Sequence, residues 1–147
     1  MGKIIFKKAE LSDLPELYSA GKKIFGEENL NSEKWNPEFI ADIFMNETSL
    51  LILALRDRKN LGIAAGRIID IENRIMEIIR FGVIEKFSGT GLAEDLLKTF
   101  IDFVRQSGIG SVRINTDPDL IKDFPADFNK TGFVESGTIR IMELLLK

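Results

Sequence analysis

Across residues 75–116 the chain reads strand, glycine loop, helix, strand, and no other feature limits its possible folds as much. A strand that returns to its own sheet through a helix must lie parallel to its partner, because only a long crossover brings the chain back to the same end. The first strand, residues 75–84, is rich in Ile, Phe and Val, which suits a pleated and half-buried surface. The helix is expected over about 89–107. Leu92, Leu96, Leu97, Phe100, Ile101 and Val104 share one face, Lys98, Asp102 and Arg105 the other, and Gly108 and Gly110 end it. Residues 111–116 alternate as the second strand, and ligand chemistry is expected near this unit.

The rest of the chain is built around that unit. Residues 3–8 suit a short first strand. Ser12 is placed to cap a helix with Asp13 and Glu16 in its first turn, Leu14, Leu17, Tyr18, Ile24 and Phe25 forming its apolar face. A polar loop over 26–36 leads to Pro37 at the first position of a second helix carrying Phe39, Ile40, Ile43 and Phe44, with Trp35 at its entrance. Residues 49–55, 61–70 and 75–84 are three β-rich runs separated by short polar turns, which fits consecutive antiparallel strands. After the crossover come a helical stretch around 120–130, a stop at Gly132 and a last strand over 138–146. The expected fold is therefore α/β, a mixed and mostly antiparallel sheet with a central parallel strand-helix-strand unit flanked by helices.

Composition narrows the chemistry. With 147 residues, 44% of them hydrophobic, the chain is expected to be one domain over 1–147. A net charge of -3 without a basic stripe speaks against nucleic acid as a partner, and the apolar run after Met1 is far shorter than a membrane span or signal segment, so a cytoplasmic protein is expected. There are 0 histidines and 0 cysteines, which removes thiolate nucleophiles, Ser-His pairs and imidazole bases, and no metal is expected. Carboxylates, Tyr18, lysines or water must do any proton transfer.

The turn Lys86-Phe87-Ser88-Gly89-Thr90-Gly91 lies between strand and helix, where unpaired amides and the helix dipole favour an anion. It is not a nucleotide P-loop, which needs Lys and Ser/Thr where Leu92 and Ala93 stand. A dinucleotide fingerprint would need a glycine at Glu94. It resembles instead the Gln/Arg-x-x-Gly-x-Gly/Ala signature of the GNAT superfamily of N-acetyltransferases. Phe81-Gly82-Val83 before it, the helix after it and the later Phe128-Asn129-Lys130-Thr131-Gly132-Phe133 also resemble that family, as does the opening Ala9-Glu10-Leu11-Ser12-Asp13-Leu14.

The resemblance implies acetyl-coenzyme A as the acyl donor and an amine, on a small molecule or a protein, as acceptor, with direct attack and no covalent enzyme intermediate. It places the pyrophosphate on the backbone from Phe87 through Leu92, that is Phe87, Ser88, Gly89, Thr90, Gly91 and Leu92, with Lys86 beside it in place of the usual Gln or Arg. Phe81, Gly82 and Val83 would accompany the pantetheine arm, with Phe81 and Val83 pairing to it as a strand would. Asn115 would bond its amides. Glu77, whose alternation partners are Ile75, Ile79 and Phe81, matches the place of a general base, and a carboxylate on such an apolar face would be a raised-pKa base. Phe128 stands where many relatives carry a tyrosine acid, which favours an alternative: a non-catalytic acetyl-coenzyme A sensor or regulatory module. Trp35, Tyr18 and Phe39 are candidates for the acceptor pocket, and the apolar last strand for a homodimer interface.

Overall fold

The computed structural model describes residues 2–25, 35–115, 121, 134–135 and 141–146. Their backbone forms β1 (Ile5–Lys8), α1 (Leu14–Phe25), α2 (Pro37–Met45), β2 (Ser49–Arg56), β3 (Lys59–Asp70), β4 (Ile75–Val83), α3 (Leu92–Gln106), β5 (Ser111–Asn115), β6 (Val134–Glu135) and β7 (Ile141–Leu145). The strands make one sheet in the order β1-β2-β3-β4-β5-β7-β6. Every neighbouring pair is antiparallel except β4 with β5, which the α3 crossover makes parallel. This is the mixed sheet with a central strand-helix-strand unit that the residue pattern implies.

Local chemistry explains most boundaries. Pro37 opens α2, and the Asn36 side chain caps it by accepting the Phe39 N–H at 2.8 Å. At α1 the expected Ser12 cap is replaced. Residues Leu11–Asp13 wind into a 3-10 turn, the Asp13 carboxylate accepts the Glu10 N–H at 2.7 Å, and the Asp13 N–H returns to the Glu10 carbonyl at 2.9 Å. Asp13 can reach back across one tight turn, which leaves Ser12 inside that turn. The two-residue β6 was not foreseen, being too short for alternation to show. The predicted helical stretch at 120–130 and the Gly132 stop, apart from Ile121, lie outside the described residues.

Each face of the sheet carries its own apolar cluster. On one side Leu96, Leu97, Phe100 and Val104 of α3 cover Ile52, Ala54, Ala64, Ile78 and Phe81. On the other, Leu17, Ile24 and Phe25 of α1, with Trp35, Ile40 and Ile43, cover Leu51, Leu53, Ile63 and Ala65. Trp35 is 1% exposed, stacks between Phe25 and Phe39 with ring centroids 5.4 and 5.7 Å away, and donates its indole N–H to the Tyr18 carbonyl. A Cβ at Gly21 would fall 2.0 Å from its ring, so the indole lies directly on the α1 backbone. Trp35 is thus a core residue, and its expected place in an acceptor pocket is withdrawn.

Candidate functional site

The site is organised by one extra residue in β4. Ile78 registers with Gly66 and Arg80 with Ala65, so Ile79 is a bulge. Met76 and Ile78 before it and Phe81 and Val83 after it all join the α3-side cluster. Ile79 packs in the opposite cluster, and the Arg80 guanidinium lies 4.4 Å over the Phe39 ring of α2. The expected alternation of Ile75, Glu77, Ile79 and Phe81 therefore breaks at the bulge. Glu77 shares its face with Ile79 and Arg80, while Phe81 has moved to the other side.

The bulge also ends the parallel pairing. Among the described residues β4 and β5 pair from Ile75 with Ser111 through Ile78 with Ile114, immediately before Ile79. The Ile84 N–H donates to the Leu61 carbonyl on β3 at 2.9 Å. Backbone direction alternates along a strand, so Val83 and Phe81 turn their amides and carbonyls to the other edge, the one that pairs with β5 earlier along β4, while Gly82 turns toward β3. On that edge Phe81 pairs in parallel with Ile121. An extended ligand arm running along Phe81 must displace this contact, whereas at Val83 no such bridge occurs among the described residues.

At the end of β4 the chain turns through Glu85–Phe87 and enters α3. Three of the loop amides bond internally: Phe87 to the Ile84 carbonyl at 2.9 Å, Ser88 to Glu85 at 3.0 Å and Thr90 to Phe87 at 3.2 Å. The first intrahelical-type bond is that of the Asp95 amide to Gly91, so the amides of Gly89, Gly91, Leu92, Ala93 and Glu94 have no acceptor among the described residues. The expected cradle from Phe87 through Leu92 is thus shared between turn closure and open donors, which extend two residues further into the helix, to Ala93 and Glu94. Gly89 and Gly91 hold φ of +77° and +91°, and a Cβ at either would meet nothing within 4 Å. Their need for glycine is conformational, and the empty space above them is room for an anion.

Glu77 is half-buried on the α1/α2 side. Its neighbours in register are Arg67 on β3 and Arg113 on β5, so the expected apolar surroundings are replaced by cations. Both arginines are engaged elsewhere, Arg67 with Asp42 of α2 at 3.6 Å and Arg113 with Glu143 of β7 at 2.5 Å. The Glu77 carboxylate has no ion pair among the described residues and stands in a charged row, Arg67, Glu77, Arg113 and Glu143, that crosses four strands. Sequence reasoning passed over Arg80, Arg67 and Arg113. An arginine inside Ile78-Ile79-Arg80-Phe81 was the available signal, but only the bulge assigns it a face.

The other predicted residues divide. Asn115 ends β5 with its backbone in register with Ile141. Phe128 lies outside the described residues. Lys86 is exposed on the α1 side of the loop. Tyr18 is half-buried beneath Lys22, whose ammonium is 4.8 Å from the ring, and Phe39 is held by Arg80 and Trp35. Among the described residues no group of three or more carboxylates could hold a metal ion, and no helix is long and apolar enough to cross a membrane.

The model of the acetyltransferase (GNAT) family matches residues 14–123. No curated protein matches the sequence. Among solved structures, the fold is similar to a GNAT acetyltransferase from Brucella melitensis in complex with acetyl-CoA, at 16% identity and a TM-score of 0.78 over 100% of this chain and 90% of that one. It is also similar to the YhbS N-acetyltransferase of Escherichia coli in complex with CoA, at 18% identity and a TM-score of 0.76 over 100% of this chain and 83% of that one. The ribosomal-protein-S18-alanine N-acetyltransferase of Escherichia coli has 17% identity and a TM-score of 0.72 over 97% and 94% of the two chains.

Proposed function

The chain belongs to the GNAT acetyltransferase family, and from that premise we propose that it transfers an acetyl group from acetyl-coenzyme A to a primary amine by direct attack of the amine. The observation that carries this reading is the conjunction, on one strand and its exit loop, of a bulge at the end of the β4–β5 pairing with open amides at the start of α3. Open donors at a helix N-terminus suit a pyrophosphate, and the edge of Val83 suits the amide-bearing arm that leads from it.

In this reading Glu77 takes a proton from the acceptor ammonium, directly or through water, and the neutral amine attacks the thioester carbonyl. Backbone N–H groups at the parted edge of β4 stabilise the developing oxyanion. The C–S bond then breaks, the amine gives up its second proton, and the products are an amide and the free thiol. Arg67 and Arg113, each tied to another carboxylate, keep the row around Glu77 charged, a setting that suits proton exchange.

A second reading, a coenzyme-binding module without turnover, is favoured by Phe128 in the place of a tyrosine acid and by the Ile121 contact on Phe81. One experiment separates the two. Coenzyme A is titrated calorimetrically, and thiol release from acetyl-coenzyme A is then followed with a panel of small amines and peptide amines. Binding with amine-dependent release supports the enzyme. Binding with release no faster than hydrolysis for every amine supports the module, and failure to bind removes both.

A further inference from the structure

We propose that the cleft between α1 and the β2–β3 hairpin is a second anion site, built to take a phosphate monoester beside the glycine loop. The inference begins at Asn60, which is 3% exposed. Its Oδ1 accepts the Gly62 N–H at 3.2 Å, and this contact sets the orientation of the amide group, since only the oxygen can accept. Its Nδ2 then has no partner among the described residues. A buried donor without an acceptor is costly and rare in a folded protein, and calls for a ligand or an ordered water.

Asn60 lines two adjoining clefts. In the first, of about 530 Å³ on the β1 side, the cations Lys3, Lys7 and Arg58 are matched by Asp13, Glu16 and Asp57, and Lys7 is paired with Asp13 at 3.0 Å. The second, of about 380 Å³, is different. Lys23, Arg56, Lys59 and Lys86 converge there against Glu16 and Asp57, and none of the four has an ion-pair partner among the described residues. The Asp57 carboxylate already accepts the Gly2 amide at 3.4 Å. In a chain of net charge -3, four cations without ion-pair partners among the described residues, lining one cleft with Asn60, form a concentrated positive field.

The geometry favours a phosphate over a carboxylate. The Arg56 guanidinium is laid 4.9 Å over the Phe87 ring, which fixes its plane, and Lys59 faces it across the hairpin in direct register. Lysines and arginine spread over α1, β2, β3 and the turn at Lys86 suit a dianion with several acceptor oxygens, and the remaining volume admits the organic part of a monoester. Phe87 and Lys86 border both this cleft and the glycine loop, so the phosphate can come from the coenzyme's own 3′-phosphate or from a separate phosphorylated small molecule. The part of the inference that names the coenzyme rests on the proposed function; the site itself does not.

The test uses the full chain, labelled with nitrogen-15 and titrated with inorganic phosphate while the assigned Asn60 side-chain amide signals are followed. Saturable shifts are expected in the parent, persisting in Gly91→Val, with the midpoint raised at least tenfold in Lys59→Glu, an exposed position whose substitution leaves the core untouched. Signals that do not move, or that move with an unchanged midpoint in Lys59→Glu, overturn the site. The source follows from two more titrations, each pointing to one occupant: coenzyme A that abolishes the phosphate response where 3′-dephospho-coenzyme A does not identifies the 3′-phosphate, and a response untouched by either identifies a separate ligand. A chain that binds no coenzyme but shows the Asn60 response loses the proposed function and keeps this site.

Discussion

The two faces of the sheet solve different problems with the same strands. The α3 side is apolar from β2 to β5, and a single amphipathic helix closes it. The α1/α2 side is apolar over β2 and the first half of β3 but carries a charged row across β3, β4, β5 and β7, where Arg67, Glu77, Arg113 and Glu143 lie in register. β4 belongs to both. Its bulge keeps Phe81 and Val83 in the sealed core while Glu77, Ile79 and Arg80 face the other way, and the pairing with β5 ends beside it. A sealed face gives rigidity, and a charged face leaves room for proton transfer and a polar substrate.

The largest effect is expected on the sealed side. Phe100 is 0% exposed, and a Cβ on Gly66 would sit 2.6 Å from its ring, so nothing nearby can move in to fill its place. Phe100→Ala should cost about 3–5 kcal/mol, against no more than about 1 kcal/mol for Arg67→Ala on the charged side, measured by denaturant unfolding. Equal losses would erase the distinction between the faces.

Function should show the reverse bias. Glu77→Gln is expected to lower turnover by about 10²- to 10⁴-fold near and below neutral pH and progressively less as the pH rises, because more of the acceptor amine is then already neutral. Unfolding midpoints should barely change. A pH-rate profile parallel to the parent's would move the base elsewhere.

Deleting Ile79 tests the bulge itself. The residues left behind alternate normally, with Ile78 and Phe81 still on the α3 side and Arg80 on the other, so the chain should fold despite losing a buried side chain worth about 1.5–3 kcal/mol. Coenzyme affinity should fall at least tenfold, because β4 can then continue alongside β5. Undiminished affinity in a folded variant would show that the parting of the strands has another cause.

Gly91→Val is expected to cost about 1–2 kcal/mol through its φ of +91° and to weaken coenzyme binding, since the new side chain enters the space above the open amides. Calorimetry and denaturation read the two effects separately. Affinity equal to the parent's would remove the loop from the site.

The smallest effect lies at the β3–β4 turn, at the end of the sheet. The Asn73 backbone N–H, at 3.0 Å, and then its side-chain amide, at 2.8 Å, hold the exposed Asp70 carboxyl below its ordinary pKa of 3.8. A carboxyl lowered on folding adds stability above its unfolded pKa and loses that stability as the pH falls through the folded value. Asp70→Ala should therefore lose a little stability at neutral pH and show a shallower decline below about pH 4. An identical acid limb would mean that this turn adds nothing.

Much of this was written in local order. The crossover from β4 to β5 forced the parallel pair, the 3.6-residue apolar period set the buried face of α3, Asn36-Pro37 set the start of α2, and Gly89 and Gly91 marked the turn that needs left-handed backbone. The parallel pair follows from the order of elements and the others depend on neighbours within a few residues, so the sequence by itself determined them. The tertiary structure decided what depends on pairing between distant strands. A bulge is a mismatch between two strands, invisible in either alone, and it moved Phe81 away from Glu77. The cations beside Glu77 come from β3 and β5, Trp35 reached the core only because Gly21 lets it lie on α1, and Asn60 is orphaned only because Gly62 fixes its oxygen while the cleft gives its nitrogen no acceptor. Periodicity records which residues avoid water, but the partner a polar group meets is set by the register of strands brought together from far along the chain.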